Sequence, residues 1–238
     1  MAVQTVAVVG AAGYVGSHIA RAVEGSGRYR MLPVLRGDPL DARVAPADIV
    51  VHSANPAGRY QASQQPQGDF EATVEKTARV LAAARGKRFV LVSSLSCRTQ
   101  LHTEYGRHRR ACELLALSCG ALVVRLGPMF GGSRTRDSLH DILAGRPVYV
   151  AVETRYGYAD VAWVGRRIVE LLDVAPGLYE IGARNAVSLA ELRDRFSSSS
   201  TFTGSDDTQI PDGCPDGPDA TDVFAFAAHE QERAAEWT

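Results

Sequence analysis

The 238-residue chain has no excess charge of either sign and no long apolar run. Its 26 Lys and Arg residues balance 27 Asp and Glu residues, so the chain has no overall field to attract nucleic acid or an anionic membrane. No stretch reaches the roughly 18 apolar residues of a membrane helix, and no basic segment precedes the first apolar run. These absences predict a cytoplasmic protein that binds a small-molecule substrate and neither nucleic acid nor membrane.

Cysteine is scarce and shows no metal or disulfide pattern. The four cysteines form no C-x-x-C pair and have no histidine at zinc spacing: Cys97, Cys112, Cys119 and Cys214. We therefore expect four free thiols, a reducing compartment and no metal site. The hydrophobic share of 45% and charged share of 22% are those of a globular protein that can bury a core without disulfides.

Short apolar runs alternate with segments of helical spacing along the first 196 residues. The alternation predicts an α/β fold, with a doubly wound, Rossmann-like parallel sheet covered by helices. Too few residues separate the runs Met31–Leu35 and Asp48–Val51 for a full helix-and-strand crossover, since a complete βαβ unit takes about thirty residues. One unit of the sheet is therefore cut down. In the segment Asp69–Arg85, one predicted helical face carries Val74, Ala78, Leu81 and Ala82.

Three glycines stand between the first apolar run and the first helical segment. In that context the glycines permit a tight turn and the close approach of a pyrophosphate, while the helix N-terminus supplies unpaired N–H donors. An ordinary glycine-rich turn is the alternative, because such a pattern alone is weak evidence. The order of strand, turn and helix favours dinucleotide binding by Gly10, Ala12, Gly13, Tyr14, Val15 and Gly16.

The spacing G-x-x-G-x-x-G resembles that of the extended short-chain dehydrogenase/reductase family, the NAD-dependent epimerase/dehydratase group. Further segments agree with this family in order, over about Val3 to Phe196: Asp48–Ala54, Phe89–Ser94, Tyr105-Gly106 with Glu113, Val124–Gly131, Tyr156–Ala162 with Asp160, Gly177–Gly182 and Ser188–Leu192. The resemblance implies an NAD(P)-dependent oxidoreductase. The chain's short C-terminal region implies a reduced substrate-binding subdomain.

The resemblance implies catalytic roles for three residues. Tyr105 would exchange a proton with a substrate hydroxyl or carbonyl, and Ser94 would hydrogen-bond the same oxygen. A phenol is a poor base at neutral pH, so a neighbouring cation is needed to favour the phenolate. The position four after Tyr105, a lysine in the family, is Arg109, which keeps a positive charge but is bulkier and planar. Eleven positions separate Ser94 from Tyr105, so the long loop of the sugar-nucleotide enzymes is absent.

The choice of cofactor depends on the end of the second strand, where an acidic residue would bind the adenosine ribose of NAD. Arg36 stands there instead and predicts NADP, with NAD as the alternative, since arginine can meet the ribose phosphate. Asp38 and Asp41 remain alternatives for ribose recognition. The resemblance adds four residues to the cofactor site: Ser53, Ala54, Asn55 and Pro128.

These motifs predict a dinucleotide-binding domain with embedded substrate elements over residues 1–196. Residues 197–222 are rich in Ser, Gly, Pro and Asp and predict a flexible segment, followed by a C-terminal helix or tail over residues 223–238. The predicted activity is NADPH-dependent reduction of a carbonyl on a sugar-like or specialised metabolite. Nucleotide-sugar epimerisation or dehydration and a non-catalytic dinucleotide sensor are the alternatives, and homodimer formation is left open.

Overall fold

The computed structural model describes residues 3–235, which form ten strands and eleven α-helices. The strands are β1 (Gln4–Val9), β2 (Tyr29–Val34), β3 (Ile49–His52), β4 (Arg88–Ser94), β5 (Leu122–Leu126), β6 (Met129–Phe130), β7 (Arg155–Tyr156), β8 (Ala159–Asp160), β9 (Gly177–Ile181) and β10 (Val187–Ser188). The helices are α1 (Tyr14–Gly25), α2 (Leu40–Val44), α3 (Arg59–Gln64), α4 (Pro66–Phe70), α5 (Lys76–Ala83), α6 (Ser96–Thr99), α7 (Glu104–Ser118), α8 (Ser138–Leu143), α9 (Val161–Glu170), α10 (Leu189–Arg195) and α11 (Asp222–Ala235).

Six strands form one sheet in the order β2-β1-β3-β4-β5-β9, and the first five pair in parallel. The predicted α/β class with a Rossmann-like sheet is confirmed. Only the five-residue helix α2 lies between β2 and β3, and β3 pairs directly with β1 in the register Val6 to Ile49. The shortened crossover therefore leaves β2 as the edge strand of the described sheet.

The central strands are buried on both faces, as continuous apolar runs in a parallel sheet require. Ala7 and Val50 are fully buried, as are Leu91 and Val123 from the next two strands. Helices α5 and α7 pack on this cluster through Val80, Cys112 and Ala116. The carboxyl ends of the strands are thus supported by a packed core. In parallel α/β sheets, ligands bind at these carboxyl ends.

The predicted buried face between Asp69 and Arg85 is only partly right. A π-helical turn at Glu71–Glu75 joins α4 to α5. Thr77 and Val80 are buried and Leu81 packs on the core cluster, whereas Ala78 and Ala82 are exposed. The prediction counted apolar residues alone, so it missed the buried threonine and placed two exposed alanines on the buried face.

Contacts divide the chain into two compact units, Met1–Leu126 with Ala162–Tyr179 and Gly127–Val161 with Glu180–Thr238. The predicted boundaries at residues 196 and 222 stay predictions. Helix α11 covers most of the predicted terminal segment, and residues 236–238, including Trp237, lie outside the described part. All four cysteines are free, as predicted. No helix within residues 3–235 has the length and apolar character to cross a membrane.

The second unit is built from short strands, helices α8, α10 and α11, and an apolar cluster of its own. Strand β6 pairs with β8, and β7 pairs with β10. Ser188 caps α10 in a capping box with Glu191, as its sequence predicts. The segment predicted to be flexible bonds to this unit, because the Gln209 amide donates to the Arg155 carbonyl at 2.9 Å and the Tyr156 hydroxyl donates to Asp207 at 2.5 Å. Its flexibility stays a prediction.

His140 gives the second unit a pH-dependent contact. Its Nδ1 lies 2.7 Å from Asp137 Oδ1, and this hydrogen bond raises the pKa of His140 above its ordinary value, against burial and with help from the charges of Asp137 and Glu230. Because the folded pKa is raised, the stabilisation is complete below the unfolded pKa of about 6.5 and is lost as pH rises through the folded value.

We therefore expect the melting temperature of the wild type to fall between about pH 6 and pH 8 more steeply than that of His140→Gln. Thermal unfolding followed by circular dichroism measures this slope. His229→Gln, a change at an exposed histidine of α11, should keep the wild-type slope. Parallel slopes for the wild type and His140→Gln would contradict the assignment.

Candidate cofactor and active site

The glycine turn after β1 has a backbone that only glycine permits at two positions. Gly10 has φ of +89°, and a Cβ there would lie 2.9 Å from the Ala54 Cα. A Cβ on Gly16 would lie 2.0 Å from the Gly10 carbonyl oxygen. The Gly10 amide also donates to the Val34 carbonyl at 2.9 Å. The turn is therefore packed between the carboxyl ends of β2 and β3.

Helix α1 begins directly after this turn with an open N-terminus. Gly13 is its N-cap, no side chain accepts a hydrogen bond there, and the first turn holds no acidic residue. The backbone N–H groups of Val15 and Gly16 in the first turn thus lie at the positive end of the helix dipole without a side-chain cap. The predicted residues Ala12 and Gly13 are exposed, and Tyr14 and Val15 are half-buried. This arrangement fits a dinucleotide pyrophosphate.

The segment after β3 forms the neighbouring wall and is fixed from α5. The Ser53 amide donates to the Val9 carbonyl at 2.9 Å, and Asn55 Nδ2 donates to Thr77 Oγ1 at 3.2 Å. His52 Nε2 lies 3.1 Å from the same hydroxyl. Burial, with the positive charges of Arg109 and Lys76, lowers the pKa of His52 to about 3. The imidazole is therefore neutral and structural, and Thr77, which the sequence analysis missed, positions both residues.

The loop after β2 separates the candidates for ribose recognition. The Asp38 carboxylate accepts a hydrogen bond from the Leu35 amide at 2.8 Å and lies 3.3 Å from Arg43 Nε. Its oxygens thus hold the loop itself. Arg36 is exposed, and no carboxylate pairs with it in the described part of the chain. Of Arg36 and Asp38, Arg36 is thus the one with a group to offer a ligand, while Asp41, exposed in α2, stays an alternative for ribose recognition.

Two adjacent serines end β4 with different surroundings. Ser93 is buried and donates to Glu113 Oε1 at 2.8 Å, so its hydroxyl belongs to the interior. Ser94 is half-buried, and its Oγ accepts from the Ser96 amide at 3.3 Å. Strand alternation thus separates a structural hydroxyl from one at the edge of the sheet. The predicted residue, Ser94, is the one at the edge.

Helix α7 begins against α6 through a close backbone contact. The Thr103 hydroxyl accepts from the Gly106 amide at 3.0 Å and caps the helix. A Cβ on Gly106 would lie 2.1 Å from the Gln100 carbonyl oxygen and 2.9 Å from that of Ser96. Tyr105 is therefore held next to the segment that begins at Ser94. The sequence signal that was overlooked is a threonine three residues before this glycine.

Arg109 lies on the same face of α7 as Tyr105, as its four-residue spacing predicts. Its guanidinium carbon is 5.0 Å from the centre of the Tyr105 ring, and its Nη2 donates to the Pro56 carbonyl. The residue is buried. The structure thus brings the candidate proton donor and a permanent cation together, beside the segment that follows β3.

A buried ion pair ties α7 to the adjacent strands. Both oxygens of Glu113 accept from Arg125, at 2.8 and 2.7 Å, and Glu113 is fully buried. Burial alone would raise the pKa of Glu113, but hydrogen bonds from Arg125 and Ser93 outweigh burial and lower it. This network holds β4, β5 and α7 in one register. Sequence reasoning noted Glu113 and missed its partners.

Pro128 is the one predicted cofactor residue in the second unit. It is half-buried, and its carbonyl accepts from the Ala159 amide at 3.1 Å. The other predicted residues all belong to the first unit. The roles of all these residues stay predictions.

Comparisons with known proteins agree with this architecture. Residues 6–119 match the NAD dependent epimerase/dehydratase family. A Bacillus cereus UDP-glucuronic acid 4-epimerase solved with UDP-glucuronic acid and NAD has a TM-score of 0.73 and 16% identity, with 94% of this chain and 93% of that chain covered. A Bacillus anthracis dTDP-4-dehydrorhamnose reductase solved with NADP has a TM-score of 0.74 and 14% identity, with 97% and 99% covered.

A third solved structure, RMD from Pseudomonas aeruginosa complexed with NADPH, has a TM-score of 0.68 and 19% identity, with 88% of this chain and 87% of that chain covered. No curated protein sequence matches the chain. The fold is thus shared with proteins solved with either dinucleotide. Over residues 6–119 the chain is thus similar to the NAD dependent epimerase/dehydratase family, in agreement with the resemblance that the order of its motifs indicates.

Proposed function

We propose that this protein is an NADPH-dependent reductase of a carbonyl group on a sugar-like or specialised metabolite. The observation that carries the proposal is the glycine turn, where an uncapped helix N-terminus follows a backbone that admits no side chain at Gly16. Such a terminus binds phosphate through its N–H groups and dipole. Arg36, exposed and without a carboxylate partner in the described chain, supports NADP over NAD.

The proposed chemistry combines the cofactor with two hydroxyl groups of the chain. NADPH, when bound, supplies a hydride for the carbonyl carbon. Tyr105 donates its phenolic proton to the carbonyl oxygen, and Ser94 donates a hydrogen bond to that oxygen as negative charge develops. Arg109, next to the Tyr105 ring, stabilises the phenolate that is left. The Tyr105 hydroxyl makes no hydrogen bond to another described residue, so it is free to serve a substrate.

Epimerisation or dehydration of a nucleotide sugar is the second candidate. A solved epimerase shares the fold over 94% of this chain, and the same Tyr105 and Ser94 groups would serve a transient oxidation. The two activities differ in their cofactor balance, since an epimerase regenerates its dinucleotide in each turnover. Net consumption of NADPH with a carbonyl substrate supports the reductase. The cytoplasmic location predicted from the free thiols belongs to the same proposal.

Replacement of Gly13 by valine tests the dinucleotide site. A Cβ there would lie 3.1 Å from the Gly10 carbonyl oxygen, a contact that a small adjustment relieves, so the variant should fold. The valine side chain would occupy the space through which a pyrophosphate reaches the helix N–H groups. We expect calorimetry to show the loss of NADPH and NADH binding.

Gly25→Val is the matched control for this variant. It makes the same change at the last residue of α1, where a Cβ meets no atom within 4 Å. This control should bind dinucleotide like the wild type. Unchanged affinity in a folded Gly13→Val variant would remove the turn from the proposed site.

A further inference from the structure

Lys76 is one of two lysines in the chain, and it lies at the carboxyl end of β3. Its Nζ donates to the Ala54 carbonyl at 3.3 Å. Ala54 is the residue whose Cα would lie 2.9 Å from a Cβ on Gly10. Ala54 therefore contacts both the Lys76 ammonium and the glycine turn. No carboxylate pairs with Lys76 in the described part of the chain.

The position of Lys76 depends on the π-helical turn before it. The turn Glu71–Glu75 ends immediately before Lys76, and the residue after it, Thr77, is buried against His52 and Asn55. Lys76 is half-buried, and its ammonium lies at the end of β3 through its contact with the Ala54 carbonyl.

The surroundings of Lys76 are cationic. Burial lowers the pKa of Lys76, and the positive charges of Arg36, Arg79 and Arg109 lower it further. Arg36 follows β2 and Lys76 reaches the end of β3, so the two cations approach the same turn from both of its flanks. Arg79 pairs with Glu75 at 3.6 Å, whereas no carboxylate pairs with Lys76 or Arg36 in the described part of the chain. Two cations without a carboxylate partner favour an anion between them.

We propose that Lys76 is a second cation for the ribose 2′-phosphate of NADP, held with Arg36 beside the glycine turn. The inference rests on the proposed function, because it requires a dinucleotide at that turn. The inference goes beyond that function because Lys76 lies outside the sequence motifs that predict the cofactor site. Arg36 supplies a planar fork to the phosphate, and Lys76 supplies a compact point charge.

Binding measurements on Lys76→Met test the inference, since methionine keeps most of the apolar stem and removes the charge. By calorimetry, we expect Lys76→Met to weaken NADPH binding about tenfold to a hundredfold, the effect of one charged hydrogen bond. NADH binding should change far less. Adenosine 2′,5′-bisphosphate should show the loss, and adenosine 5′-monophosphate, which lacks the 2′-phosphate, should not. Lys76→Arg should recover part of the affinity.

Lys87→Met is the matched control. Lys87 donates to the carbonyls of Ala45 and Ala47, before the amino end of β3, so its removal should leave both dinucleotides unaffected. In Arg36→Ala, the cost of adding Lys76→Met should differ from its cost in the wild type, because both residues contact one phosphate. Equal losses for NADPH and NADH would place Lys76 on the pyrophosphate and overturn the inference, as would no loss at all.

A measurement on the unaltered sequence removes the dependence on variants. Reductive methylation with ¹³C-formaldehyde keeps the lysine charges and labels Lys76 and Lys87, so NMR can follow each signal. Adding NADP⁺ should raise the apparent pKa of Lys76 more than adding NAD⁺, with Lys87 unmoved. Identical responses to the two dinucleotides would overturn the inference. Failure of the wild type to bind either dinucleotide would instead overturn the proposed function, and this inference with it.

Discussion

Replacing Tyr105 with phenylalanine should lower kcat about 10²- to 10⁴-fold, the usual contribution of a general acid or base. The hydroxyl is lost while the ring stays beside the Arg109 guanidinium, so folding and dinucleotide binding should persist. The measurement is NADPH oxidation with the carbonyl substrate that the wild type reduces best, together with calorimetric NADPH binding. Tyr60→Phe, the same change at a largely exposed tyrosine of α3, should leave kcat unchanged.

Arg109 variants refine this prediction. Arg109→Ala should lower kcat for carbonyl reduction, because the phenolate that remains after Tyr105 donates its proton loses its neighbouring cation. Arg109→Lys restores the residue of the family pattern and should preserve or improve activity if the shorter side chain reaches the same place. Full activity of Tyr105→Phe would exclude a proton role for Tyr105, whatever the arginine variants do.

Replacing Glu113 with glutamine should lower the free energy of unfolding by about 3–5 kcal/mol, because it removes one charge of a buried ion pair with Arg125. Arg125 is 6% exposed and Glu113 is fully buried, so water cannot replace the lost partner. Glu104→Gln is the matched control on the same helix. Its pair with Arg107 is exposed, and its loss should cost less than about 1 kcal/mol.

Urea unfolding measures both changes, and equal costs for Glu113→Gln and Glu104→Gln would contradict the buried network. The double variant Glu113→Leu with Arg125→Met should be less destabilised than Glu113→Gln, because both charges are removed together. Since Ser93 is bonded to Glu113 and Ser94 is the next residue, we also expect Glu113→Gln to lose activity beyond its loss of folded protein.

The sheet could be predicted because its strands are short, continuous apolar runs in the sequence. Val6, Val50 and Val90 lie in apolar runs that are buried in the sheet, and such runs are typical of parallel strands covered on both faces. The face of α5 could not be predicted in full. Thr77 is buried on this face because it bonds to His52 and Asn55 across the fold, and no local sequence pattern marks such a contact.

The candidate site divides in the same way. Gly10 and Gly16 were identifiable because a turn between strand and helix demands glycine, and their close backbone contacts explain the demand. Asp38 looked equivalent to Arg36 in sequence, yet its carboxylate is used by the Leu35 amide. The role of Lys76 could not be predicted from the sequence, because its contact with Ala54 joins positions that are 22 residues apart. Contacts between residues far apart in sequence decide which side chains are available to a ligand, and local residue spacing does not show these contacts.

The π-helical turn at Glu71–Glu75 also bears on how this chain could diverge. Such a turn holds one residue more than an α-helical turn, so a deletion within it can restore a regular α-helix and leave Lys76 and Thr77 at the strand ends. A deletion in the regular part of α5 would instead rotate the residues after it by about 100°. The π-helical turn is therefore a place where the length of this segment can change without moving the side chains that approach the glycine turn.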